Sequence, residues 1–169
     1  LQSLDPSVAA GKRGRGLRRR FRVRIHAVDA TVMELFANCM DWAKHRRRKA
    51  AAKMHLRLDL HSFLPSFAIV DTAGEHDNKR AREVCAGIAA GEIVIFDKAY
   101  VDFDHLADLD ARGVWWVTRA KDNMSFRVRR NLVKDEGKIV RDQMVQIDGG
   151  RVVRRVEALG KFLDTDDGK

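Results

Sequence analysis

Two aspartates are the residues of this chain whose types and setting could do chemistry together. Asp29 sits in "IHAVDAT" and Asp97 in "IVIFDKAY". In each stretch a short apolar run leads straight into a carboxylate. Charge at the edge of a sheet is normally avoided unless it is used. Two carboxylates brought side by side repel, and a cation between them removes the repulsion. Mg²⁺ takes hard oxygen ligands and keeps several waters free for phosphate oxygens, which suits such a pair to phosphodiester cleavage. Taken singly, an Asp at the end of an element is more often a turn former or an N-cap. The metal reading therefore requires that the two meet in space.

The elements that would bring them together can be read from periodicity. "FRVRIHAVDAT", Phe21 to Thr31, alternates with period two and reads as a strand, with Ala27 and Asp29 on one face and His26 and Val28 on the other. Residues 32–52 read as a connection, partly helical at most. "KMHLRLDL" alternates again, setting Met54, Leu56 and Leu58 against Lys53, His55, Arg57 and Asp59. A turn at "HSFLP" and the run "SFAIVD" complete an antiparallel meander. The period then changes. Ala81, Val84, Cys85 and Ile88 make one helical stripe, with Asp77 as its cap and Gly91 as its stop. "EIVIFD" reads as a strand buried on both faces, "VDFDHLADLDARG" as a helix with Phe103, Leu106 and Ala107 inward, and "VWWVT" as a fifth strand. Trp115 and Trp116 alternate there, so at least one belongs to the core. Three further strands follow, with turns at "DEGK" and "DGGR". The expected domains are a basic arm over residues 1–20, an α/β core over 21–123 and a β-rich insertion over 124–169.

The order β-β-β-α-β-α-β is the layout of the ribonuclease-H-like mixed sheet. In that layout the first strand lies beside the fourth, which makes Asp29 and Asp97 neighbours. With that order, "IHAVDAT", "IVIFDKAYVDF", "GVWWVTRAKDN" and the segment from Asp41 to Asp77 together resemble the DDE transposases of bacterial insertion sequences, of the IS-four type. The resemblance covers about Arg22 to Asn123. It implies DNA transposition, with Asp29 and Asp97 as catalytic and metal-binding residues, Mg²⁺ as cofactor and Mn²⁺ as its substitute. It also implies double-stranded DNA as partner, both element ends and target; self-association of the chain is an open alternative to a single copy. One part of the family pattern is missing. The third acid stands in a Tyr-x2-Arg-x3-Glu-x6-Lys signature, whereas this chain has a single tyrosine, Tyr100, and Phe at position 103. Glu136 and Glu157 fall in the inserted strands and are not assigned. The expectation is a fragment that ends inside the insertion and lacks the third acid. The alternatives are a DNA-binding remnant without chemistry and a cellular nuclease of the same fold.

Charge agrees with a nucleic-acid partner. The formal net charge is +9. Residues 1–24 carry eight Lys/Arg against Asp5 alone, residues 42–57 carry seven and no acid, and the rest of the chain is net acidic. Arg46, Arg47, Arg48, Lys49 and Lys53 form the densest block and are candidates for phosphate contact. Lys98, next to Asp97, and Arg119 and Lys121, at the exit of the fifth strand, are further DNA-binding candidates. Lysines and arginines of this kind are otherwise ordinary solvated surface. A zinc site through His55, His61, Cys39 and Cys85 lacks the usual ligand spacing. Two cysteines do not make a disulfide framework, so a reducing, intracellular setting is expected; the resemblance implies a bacterial cytoplasmic, nucleoid-associated one. No apolar run reaches the roughly 20 residues that span a bilayer. The first residues show neither an initiator Met nor a signal core, as in the middle of a reading frame.

Overall fold

The computed structural model describes residues 16, 20–35, 50–72, 77–133, 139–147 and 150–158. The chain divides into two compact units, Leu1–Lys121 and Asp122–Lys169.

The first unit is built on a five-stranded sheet in the order β3-β2-β1-β4-β5. Strand β1 (Ile25–Leu35) pairs antiparallel with β2 (Ala50–Asp59), which pairs antiparallel with β3 (Leu64–Thr72). Strand β4 (Ile93–Phe96) lies parallel to β1 on its other side, and β5 (Trp115–Thr118) lies parallel to β4. This is the ribonuclease-H-like arrangement expected from the element order. Helix α1 (Asp77–Val84) follows β3; a 3-10 turn (Lys98–Tyr100) and helix α2 (Phe103–Ala111) separate β4 from β5.

Both helices serve one face of the sheet. The core there combines Val28, Val94 and Phe96 with Ala81, Val84, Cys85, Ile88, Leu106 and Leu109. The stripe read from Ala81 to Ile88 is therefore buried, although the helix itself ends at Val84 and the chain turns at Gly87 (φ +76°). Helix α2 begins on an Asp102 cap that accepts from the His105 amide at 3.0 Å, a standard N-cap bond. Its phase differs from the expected one: His105, Leu106 and Leu109 are buried, while Phe103 and Ala107 are half-buried.

Four further expectations are corrected. Strand β1 starts at Ile25 and continues past Asp29 to Leu35, so Val32–Leu35 and Ala50–Ala52 extend the β1–β2 ribbon instead of forming a helical connection. Strand β4 is covered on one face alone: Val94 and Phe96 are buried, but Ile95 is 38% exposed. On β2 the covered face is the polar one, because His55 and Arg57 are buried while Leu56 and Leu58 are half-exposed. The cause is the open end of α1. Its last carbonyls have no partner within the helix, and Arg57 donates Nη1 to the carbonyls of Val84 (3.1 Å) and Ala86, and Nε to Ser66 Oγ (3.0 Å). Arg112 adds bonds to the carbonyls of Cys85 (3.1 Å) and Ile88 (2.9 Å). Finally, neither tryptophan is core: Trp115 is 68% exposed, and Trp116 is half-buried with its ring N–H donating to Asp110 (2.8 Å).

The second unit contains an antiparallel sheet, β6 (Arg127–Val133), β7 (Ile139–Gln146) and β8 (Val152–Ala158), in that order. The β7–β8 hairpin closes over Gly150 (φ +79°), as the "DGGR" turn suggests. The "DEGK" turn lies outside the described residues. Buried Asp142 takes two bonds from Arg154, at 2.9 and 2.6 Å. That partner holds its carboxyl below the ordinary range.

Candidate active site

The parallel register of β1 and β4 runs from Ile25 opposite Ile93 to Val28 opposite Phe96. Asp29 and Asp97 are the next residue on each chain, so each follows the last β1–β4 register pair at the same level. Both are exposed. Each carboxylate also serves its own backbone: Asp29 Oδ1 accepts from the Ala30 amide (2.8 Å) and Asp97 Oδ1 from the Ala99 amide (3.1 Å). The second bond caps the 3-10 turn that follows β4. The turn reading of Asp97 and its place in a carboxylate pair are therefore compatible.

The oxygens at this edge are of the type a hard divalent cation takes. Two carboxylates are a partial set, and among the described residues no group of three or more His, Cys, Asp or Glu stands close enough to hold a metal. Glu157 is in the second unit, where it takes Arg155 at 2.9 Å and Arg141 at 3.7 Å. Glu136 lies outside the described residues.

Of the cationic candidates, Arg119 stands beside Asp97: its Nε is 3.8 Å from Asp97 Oδ2, with its side chain 67% exposed. An exposed pair of that length is worth at most ~1 kcal/mol, so Arg119 remains available to a polyanion. Lys121 is used within the protein, donating Nζ to the carbonyl of Val101 at 2.8 Å. Lys98 is half-buried in the 3-10 turn and Lys53 half-buried on β2, opposite Val32. Arg46, Arg47, Arg48 and Lys49 lie outside the described residues.

Beneath the carboxylates is a buried polar pair that spacing alone does not single out. Tyr100 and His55 are almost fully covered, Tyr100 Oη and His55 Nδ1 are 2.7 Å apart, and the rings meet edge to face at 5.9 Å. Cys85 is buried, and desolvation pushes its thiol up to about 11. Cys39 lies outside the described residues.

A family model described as "Transposase DDE domain" matches residues 21–167. The chain is 31% identical over 121 residues to a putative transposase of Sinorhizobium fredii, covering 72% of this chain and 33% of that protein. It is 25% identical over 113 residues to a probable insertion-sequence transposase of Geobacillus stearothermophilus, covering 67% of this chain and 29% of that one. It thus spans about a third of the length of these curated relatives. Among solved structures it is similar to a piggyBac transposase in a synaptic complex with hairpin DNA, at 9% identity and TM-score 0.43, covering 77% of this chain and 32% of that one.

Proposed function

The chain belongs to the transposase DDE-domain family, and from that premise we propose that its first unit carries the metal-binding carboxylates of a DNA strand-cleavage and strand-transfer site. The observation that supports this most directly is the pair Asp29 and Asp97, exposed at one level of two adjacent parallel strands. Asp29 and Asp97 would hold Mg²⁺, or Mn²⁺ in its place. When bound, such an ion supplies a Lewis acid for the scissile phosphate and lowers the pKa of the attacking hydroxyl or water. The carboxylates contribute fixed, negatively charged oxygens; Arg119 contributes a positive charge beside them that suits a phosphate oxygen. Double-stranded DNA, as element end and as target, is the proposed partner, held at its backbone by the basic blocks of residues 12–24 and 44–57.

The pair by itself is too small a ligand set to fix two ions, so the 169-residue chain is expected to bind Mn²⁺ weakly and to cleave DNA poorly. The test has two readouts on the purified chain. Mn²⁺ binding, followed by the loss of the free-ion electron paramagnetic resonance signal, should drop at least about tenfold in both Asp29→Asn and Asp97→Asn, no less than the loss of an outer-shell partner commonly brings. Plasmid nicking in Mg²⁺ or Mn²⁺ should be slight and should vanish in the same variants. Ion binding or nicking that survives both substitutions removes the carboxylate pair from the mechanism.

A further inference from the structure

We propose that Tyr100 and His55 form a positioning pair that sets the place of Asp97 relative to Asp29, through the turn that Asp97 begins. This inference rests on the carboxylate reading above for its consequence, and on the geometry of the turn for its cause.

Strand pairing does not hold Asp97. The β1–β4 ladder ends at Val28 and Phe96, and the β4–β5 ladder ends at Phe96 and Thr118. Asp97 stands one residue beyond both. Asp29, by contrast, is inside β1, paired with Leu56 of β2. The separation of the two carboxylates therefore depends on the short segment Asp97–Val101. That segment is the three-residue 3-10 turn Lys98–Tyr100 with its caps Asp97 and Val101, a geometry that is weak in isolation.

Beside its own backbone bonds, side chains tie the turn down. Asp97 caps it from within, through the Ala99 amide. Lys121, after β5, holds its last carbonyl at Val101 (2.8 Å). Tyr100 reaches under the sheet to His55 (2.7 Å). The last tie has the greatest reach. His55 is opposite Ala30 in the β1–β2 register, and β1 lies between β2 and β4. The Tyr100–His55 bond thus joins the turn after β4 to β2 across β1, at the level of the residue next to Asp29. It links the Asp97 turn to the ribbon that carries Asp29. Both rings are almost fully buried, where a hydrogen bond gains strength from the low dielectric and its loss is costly. Partners that orient metal-binding side chains in this way commonly change metal affinity about ten- to a hundredfold when removed.

The experiment uses the full chain and two independent readouts. Tyr100→Phe keeps the ring and deletes the hydroxyl. Amide hydrogen exchange without metal should rise about tenfold or more at Ala99, Tyr100 and Val101, with β1 and β2 unchanged. Mn²⁺ affinity should fall about tenfold, as expected for an orienting partner. His55→Asn, which sets an amide near the place of Nδ1, should retain more of both properties than Tyr100→Phe. Unchanged exchange in the turn overturns the proposal, as does wild-type Mn²⁺ affinity in Tyr100→Phe. A wild-type chain that binds no Mn²⁺ refutes the carboxylate reading instead, and with it any effect of the pair on a metal; the exchange arm still decides whether the pair holds the turn.

Discussion

At the scale of single residues, the covered face of the sheet is unusual for its polar content, and His105 carries a measurable consequence. It is 1% exposed on α2, packed 5.9 Å from the Phe96 ring, and neither ring nitrogen has a hydrogen-bond partner among the described residues. Desolvation therefore depresses its pKa below 6.5, with smaller opposing contributions from Asp108 and Asp102. The sign follows from proton counting. The unfolded chain takes up a proton near pH 6.5 that the folded chain refuses until the pH is lower. The contribution of His105 to stability is thus fully present above about 6.5 and is lost as pH falls from there through the folded value. Urea unfolding at about pH 7.5 and about pH 5.5, on either side of the unfolded value, should show a lower midpoint at the acid pH. His105→Leu should flatten that difference; an unchanged pH dependence in the variant would assign it to other groups.

At the scale of elements, two features can be tested separately. The first is the stop of α2. Gly113 follows the Arg112 cap with φ +70°, and a Cβ there would stand 3.3 Å from the Cβ of Ala90. Gly113→Ala should cost about 1–2 kcal/mol, the usual cost of a left-handed non-glycine residue, read as a shift in chemical denaturation midpoint. The second is the sheet face opposite the helices, where Val70, Ile95, Trp115 and Val117 are all exposed. Exposed apolar surface of this extent favours association of chains. The double variant Trp115→Lys, Val117→Thr should therefore raise the concentration at which light scattering sets in. It should leave the thermal midpoint nearly unchanged, because neither side chain is in the core. A solubility equal to that of the parent would show that this face does not govern association.

At the scale of the whole molecule, charge placement makes the testable statement. Binding to duplex DNA should be tolerant of sequence and should weaken steeply with salt, because each neutralised phosphate releases counterions. Replacing Arg46, Arg47 and Arg48 by Ala should reduce the slope of log affinity against log salt by about 2–3, at ~0.9 for each phosphate that is no longer neutralised. Fluorescence anisotropy of a labelled duplex at several salt concentrations measures it. A flat salt response, or a slope unaffected by the triple variant, would remove the basic block from the interface.

Much of this molecule follows from local sequence. Alternation in "IHAVDAT" and "KMHLRLDL" marks strands, the Ala81–Ile88 stripe marks a buried helical face, and the order of elements implies that β1 lies beside β4. With the ribonuclease-H-like layout, that is enough to nominate Asp29 and Asp97 as a candidate pair, because side-chain period is a local property and strand order a combinatorial one. What a strand meets on each face is neither. The sequence pattern ranks Leu56 and Leu58 as inward and His55 and Arg57 as outward, yet the helices lie over the polar side. Hydrophobicity cannot foresee this, since it assigns no value to the open carbonyls of α1 that Arg57 satisfies, or to the Tyr100 hydroxyl beside His55. Those partners are 27 and 45 residues away in the chain. Only the tertiary structure brings a donor to each buried acceptor, and so only it decided which face became the core.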